Sequence, residues 1–274
     1  MSSQGLLIVG VGRSGTSIAA KLASDLGLRL PRSSDLMRGN FANPGGYWES
    51  ESLVGLNDRL LLRWNCSWWT PPPSITLSKL EALDDLKQDA IKVFTATFGT
   101  QDGWIWKDPR LTILMPFWEQ VLGTNPICFP FRSPQAVARS LALRDGLTYE
   151  QGLAVWERHT RLALEALAGR QVAVADYDSL CTDPDRWQSD LMHFCREVGL
   201  AVYEPTESAD RQVAESATSK QGWISDHQFL LFETLRSVTG FHPRFAALDL
   251  PEESTWVNDR LGEVTIPSWG SRIP

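Results

Sequence analysis

The run Gly10-Val11-Gly12-Arg13-Ser14-Gly15-Thr16-Ser17 has the spacing G-x-x-x-x-G-x-[ST]. Glycines so placed let the backbone curl until successive N–H groups point inward, which makes a seat for a phosphate-like anion. Ser14, Thr16 and Ser17 add hydroxyls, and Arg13 adds a cation within the loop. Thr16 stands where a nucleotide triphosphatase carries its lysine, and no later strand candidate ends in an aspartate placed for Mg²⁺. Without that lysine and that carboxylate, the loop suits a transferred group of lower charge than a γ-phosphoryl. A sulfuryl group is such a group.

A second set of residues follows a strand candidate. Phe131-Arg132-Ser133-Pro134 is succeeded by Ser140 and Arg144. Arg132 would leave a sheet at its carboxyl edge, where open α/β folds bind ligands. Ser140 and Arg144 are four apart and so share one helix face. A guanidinium fork matches a phosphate bidentately. Alone, these would be a surface arginine and a helical serine; beside a phosphate loop they complete an anion site.

The elements that must hold these groups are legible from periodicity. Leu6–Val11 is a short aliphatic run of the kind found in buried parallel strands, and Thr16 to Leu28 carries apolar residues at helical spacing. Further strands are expected at Trp104–Lys107, Ile127–Phe131 and Val172–Ala175. Helices are expected over 52–65, 77–98, 111–122, 134–144, 149–168 and 185–198. Residues 29–50, 66–76, 200–226 and 243–274 are expected to be irregular. Strands alternating with helices predict an α/β fold: a P-loop-type parallel sheet with helices on both faces, in a single domain. The nucleotide-binding core would span about 5–199, with 200–274 as a cover or acceptor segment.

Composition narrows the partners. With 26 Lys and Arg against 33 Asp and Glu the net charge is −7, which disfavours nucleic acid and anionic membrane as main partners. Cys66, Cys128, Cys181 and Cys195 have no metal-ligand spacing, so a metal is not expected. The opening MSSQGLLIVGVGRSG lacks a basic n-region and a long apolar run, and no stretch is long enough to span a membrane. A cytoplasmic protein is the expectation. The chain also holds 12 Trp against 4 Tyr.

Taken together, Arg13-Ser-Gly-Thr-Ser and Phe131-Arg132-Ser-Pro with Ser140 resemble motifs of sulfotransferases that use 3′-phosphoadenosine 5′-phosphosulfate (PAPS). The likeness is to bacterial and cytosolic members, and to carbohydrate and tyrosylprotein sulfotransferases in the motifs. It covers most of residues 5–180 and fades beyond. It implies that residues 13–17 hold the phosphosulfate and that Arg132, Ser140 and Arg144 hold the 3′-phosphate. In Trp104-Ile-Trp106-Lys107-Asp108-Pro109-Arg110, Lys107 would support the departing phosphate, with Asp108 orienting backbone and Arg110 pairing with it. Asn43-Pro-Gly-Gly-Tyr47-Trp48-Glu49-Ser50-Glu51 resembles a segment that carries the general base, here Glu49. The alternative is that Glu49 or Glu51 only begins the next helix. Asn57 and Asp58 would help position the acceptor, and Tyr177 would touch the nucleotide or pack beside it.

The acceptor would be a hydroxyl on a small molecule, glycan or natural product, walled by Trp64, Trp68 and Trp69. The product nucleotide would be 3′,5′-bisphosphoadenosine (PAP). His159 and His193 look like ordinary helix residues, whereas His227 and His242 stay open as bases. Ser216–Lys220 resembles a nucleotide-covering loop only loosely. Two other functions fit the loop: a small-molecule kinase of the P-loop class, and a non-catalytic nucleotide-binding relative.

Overall fold

The computed structural model describes residues 4–39, 46–205 and 222–265; the expected Ser216–Lys220 loop and Asn43–Gly45 lie outside them. The elements are β1 (Gly5–Ile8), α1 (Thr16–Asp25), α2 (Glu51–Leu62), α3 (Leu77–Glu81), a 3₁₀ turn (Asp84–Leu86), α4 (Lys87–Phe98), β2 (Trp104–Lys107), α5 (Leu111–Leu122) and β3 (Ile127–Phe131). They continue with α6 (Pro134–Asp145), α7 (Tyr149–Leu167), β4 (Val172–Asp176), α8 (Tyr177–Thr182), α9 (Pro184–Glu197), α10 (Asp226–Ser237), β5 (Gly240–His242) and α11 (Val257–Gly262).

The sheet order is β2-β1-β3-β4-β5. β1 to β4 run parallel, and β5 is antiparallel to β4. Successive strand residues face opposite sides of a sheet, and here they divide by size. Leu6, Ile8, Ile105, Cys128 and Ala173 face the small residues Ala19, Ala20 and Ala23 of α1 and the buried side of α9. Leu7, Trp104, Trp106, Phe129 and Val174 face the other side, where Phe94, Phe117, Trp118 and Trp156 fill a thicker layer. Alanines let α1 lie close to the sheet and hold the loop before it against β1 and β3. Gly5 leaves room for Trp104, whose ring would lie 2.0 Å from a Cβ at that position.

The order of the strands places the site. The chain leaves β1 toward β2 on one side, then leaves β3 toward β4 on the other. Connections that diverge in this way open a crevice at the carboxyl edge between β1 and β3. The glycine loop follows β1 and Arg132 follows β3, so both anion motifs border that crevice.

Several elements differ from expectation. The helix expected over 77–98 divides at Leu83, which is fully buried and turns the chain into the core before α4. β4 extends one residue further, to Asp176, whose carboxylate caps α8 at the Asp178 N–H. α11 falls in sequence expected to be irregular; Val257 and Leu261 bury its inner face without any side-chain cap. Among the described residues, no helix is long and apolar enough to cross a membrane.

Candidate active site

The loop between β1 and α1 is fixed by close packing. Gly15 sits at φ 96° and Arg13 at φ 75°, a conformation that costs a residue with a Cβ. A Cβ on Gly10 would lie 2.7 Å from the Pro130 carbonyl oxygen, on Gly12 2.8 Å from the Trp68 ring, and on Gly15 2.7 Å from the Tyr177 ring. The Ser14 hydroxyl lies 2.6 Å from the Val11 carbonyl and 3.0 Å from that of Pro130, so this side chain holds the loop's shape. Thr16 is buried and Ser17 partly exposed in the first turn of α1, which carries no acidic residue. The positive end of that helix faces the crevice.

Three arginines meet beside the loop. Arg13 Nε donates to Ser140 Oγ at 2.8 Å, joining residues 127 apart in sequence. Arg132 donates to the Arg13 carbonyl at 3.4 Å and stacks on the Tyr177 ring, 4.1 Å from its centroid. Arg144 forks onto Asp145 at 2.5 and 2.7 Å and lies over Trp68, 5.4 Å from its centroid. Burial, then the nearby Arg144 and Arg132 charges, push the Arg13 guanidinium below its ordinary range against the opposing pull of Tyr47 and Asp145. Mutual repulsion of this kind is relieved when an anion binds. The Arg13 side chain therefore belongs with Ser140 and Arg144, not with the loop's backbone seat as its place in the motif implied. Tyr177 is buried between Gly15 and Arg132 and props that arginine.

Glu49 and Lys107 meet at the same edge. Lys107 ends β2 level with Ile8 of β1, just before the glycine loop begins. Its Nζ lies 2.5 Å from Glu49 Oε1, and both side chains are more than nine-tenths buried. Trp48, the residue before Glu49, has φ 61°, which turns the chain sharply into Ser50, the N-cap of α2. Asp35 holds that entry: it accepts from the hydroxyls of Ser50, Ser52 and Thr97 and from the Ser52 N–H. Burial pushes the Asp35 carboxyl up, and these hydrogen bonds outweigh it and hold it below the usual carboxylate range. Glu51 is exposed in the first turn of α2.

The neighbours of this pair are committed to one another. Asp108 is fully buried and accepts from the Arg110 backbone and guanidinium at 2.9 and 3.1 Å and from Asn57 at 2.8 Å. Asn57 in turn accepts from Trp118 Nε1 at 2.8 Å, and Asp58 pairs with Arg110. Burial pulls the Arg110 guanidinium down, but Asp108 and Asp58 more than reverse it and keep it charged. Asn57 and Asp58 thus brace α2 against the β2 end instead of facing an acceptor.

The tryptophans expected to wall the acceptor are buried. Trp64 donates to the Lys79 carbonyl at 2.8 Å and Trp69 to Asp145 at 3.2 Å. Trp68 packs on Gly12, on Arg144 and, at 5.3 Å between centroids, on His159. His159 is the exception among the histidines. It is fully buried, with Nε2 2.7 Å from the Trp68 carbonyl and Nδ1 2.6 Å from Thr112 Oγ1. A carbonyl only accepts, so Nε2 carries a hydrogen, while the Thr112 hydroxyl beside Nδ1 donates its own hydrogen to the Pro109 carbonyl at 2.6 Å. Burial pulls its pKa down to about 4. His242 pairs with Val172 at the amino end of β4, the far edge of the sheet, and His227 is half-buried against the Glu252 carbonyl. Neither stands at the crevice. Asp35, Asp145 and His159 are the site's support that sequence did not single out: Asp35 and His159 act through partners distant in the chain, and Asp145 ties its neighbour Arg144 to the distant Trp69.

No protein-family model matches the chain, and no curated protein does. Solved structures do. The sulfotransferase STF9 from Mycobacterium avium is similar at a TM-score of 0.52 and 12% identity, over 92% of this chain and 79% of that one. The sulfotransferase domain of the Synechococcus PCC 7002 olefin synthase gives a TM-score of 0.45 at 18% identity, over 96% and 94%. A sulfotransferase from Alicyclobacillus acidocaldarius gives 0.44 at 14%, over 86% and 91%. The chain has the sulfotransferase fold. A fold hosts many chemistries, so the reaction depends on the site and not on the fold alone.

Proposed function

We propose that this protein transfers a sulfuryl group from PAPS to the hydroxyl of a small-molecule or glycan acceptor. The observation that carries the proposal is the Arg13–Ser140 contact, which joins the glycine loop to the strand-end arginine site. Three guanidinium groups with Asp145 as a carboxylate partner form a site suited to a dianion such as a 3′-phosphate. The loop backbone and the start of α1 suit the 5′-phosphosulfate.

Glu49, as a carboxylate paired with a lysine, accepts the hydroxyl proton while the acceptor oxygen bonds to sulfur in line. The bond between sulfur and the bridging oxygen breaks, and Lys107, as an ammonium, stabilises the charge left on that oxygen. The products are a sulfate ester and PAP. The two residues act in concert: a protonated Glu49 holds Lys107 less strongly as the leaving oxygen needs it more. Arg13, Arg132, Arg144 and Ser140 bind and orient, and orientation supplies much of the rate. The test is incubation of the full chain with PAPS and a panel of phenol, alcohol and sugar acceptors, read by mass spectrometry. A product heavier by one sulfuryl group is expected. Phosphorylation from Mg·ATP, or nucleotide binding without transfer to any acceptor, would contradict the proposal.

A further inference from the structure

Trp68 is 4% exposed, and its Nε1 is fully buried with no hydrogen-bond partner among the described residues. A buried N–H without an acceptor is costly, and native proteins rarely leave one so. Trp106 Nε1 is also unpartnered, but it lies in the apolar layer, edge-to-face with Trp118 at 4.5 Å and tilted against Phe94 at 5.6 Å. Trp68 stands elsewhere. The face of its ring meets the Arg144 guanidinium, whereas its edge meets the glycine loop. The atoms nearest a Cβ on Gly12 would be Cζ2 at 2.8 Å, Cη2 at 3.3 Å and Cε2 at 3.7 Å. In an indole, Cε2 bears Nε1, and the N–H lies along the same edge as Cζ2. The unpartnered donor therefore sits one bond beyond Cε2, beside Gly12 of the anion loop.

His159 fixes that position. Its Nε2–H holds the Trp68 carbonyl at 2.7 Å, and the two rings pack at 42°. The residue is thus anchored from α7 and the Thr112 hydroxyl of α5, not from the loop it faces.

We infer that Trp68 Nε1 donates a hydrogen bond to a sulfuryl oxygen of the bound donor nucleotide. The inference rests on the donor proposed above. The 5′-phosphate belongs at the start of α1, around Thr16 and Ser17, and Gly12 lies at the other end of the loop, toward the group beyond that phosphate. The 3′-phosphate already has Arg13, Arg132 and Arg144. This moves Trp68 from the acceptor wall to the donor side, where it would distinguish a nucleotide that carries a sulfuryl group from one that has lost it.

Calorimetry on the full chain and on Trp68→Phe tests this with three ligands: PAPS, PAP, and adenosine 5′-phosphosulfate, which lacks the 3′-phosphate. Loss of one hydrogen bond to a charged acceptor is expected to weaken both sulfated ligands about 10- to 100-fold. PAP affinity is expected to stay within about twofold. Replacement of Trp68 by 3-benzothienylalanine, which keeps the ring's shape and puts sulfur in place of N–H, gives the same result if the N–H is responsible. It also serves if Trp68→Phe fails to fold. Unchanged affinity for the sulfated ligands overturns the assignment, as does a loss that PAP shares equally. Wild-type protein that binds none of the three overturns the donor proposal itself, and this assignment with it.

Discussion

Replacing Glu49 by glutamine leaves Lys107 buried without its carboxylate, and a broken buried pair commonly costs about 3–5 kcal/mol. Glu49→Gln is therefore expected to melt lower and to turn over about 10²–10⁴-fold more slowly in single-turnover sulfuryl transfer. The double variant Glu49→Gln/Lys107→Met removes the orphaned ammonium, so it should recover most of the stability and none of the activity. Near-normal turnover in Glu49→Gln would end the case for Glu49 as the base. At this scale the sequence was informative wherever chemistry and chain order coincide. The glycine loop, Arg132 and Lys107 all stand at strand ends or in the turns that follow, and Ser140 lies on α6, the helix after Arg132. What it could not show is that Glu49 and Lys107, 58 residues apart, pair directly. Nor could it show that the Arg13 side chain turns across the crevice to Ser140, because neither contact has a local signal.

The elements hold the site through two clamps. Asp35 collects the entry to α2 with three hydroxyls and one N–H, and so fixes the turn at Trp48 that aims Glu49. Asparagine would lose part of this acceptor set. Asp35→Asn is expected to cost about 1–3 kcal/mol of stability and to lower turnover while PAP affinity holds, which denaturant titration and calorimetry can check together. Because its folded pKa is depressed, the stability from Asp35 is present above its ordinary pKa, near 3.8, and is lost as pH falls below it.

The second clamp, His159, acts in a different pH window. Its pKa is about 4 in the fold against 6.5 ordinarily, so the unfolded chain takes up the proton first as pH falls. The contribution is full above pH 6.5 and declines by about 3 kcal/mol on the way down to pH 4. Urea midpoints at pH 7.5, 6 and 5 should therefore fall in the wild type and fall less in His159→Gln; parallel slopes would contradict a neutral buried imidazole. The α10 start was open to prediction, since Ser225 and Gln228 form a capping box. β5 was not, because three residues are too few to show alternation.

For the whole molecule, the strand alternation was legible but the strand order was not. Nothing local tells a chain that β1 will lie between β2 and β3. That order creates the crevice, and the division of the sheet into an alanine-lined face and an aromatic face keeps the loop pressed against it. Trp104, Trp106 and Trp118 serve this packing and are among the largest fully buried side chains. The anion site thus depends on two distant strand ends being brought together, and a ligand that spans both should sense it.

Calorimetry of PAP against AMP, which differs only in lacking the 3′-phosphate, asks this directly of the wild type and of Arg132→Ala. The wild type is expected to prefer PAP by at least about tenfold. Arg132→Ala should lose about 1.5–3 kcal/mol of PAP binding, roughly ten- to hundredfold in Kd, with AMP nearly unchanged. Equal affinity for the two nucleotides in the wild type, or a PAP affinity indifferent to Arg132, would contradict a 3′-phosphate site and the sulfuryl transfer built on it.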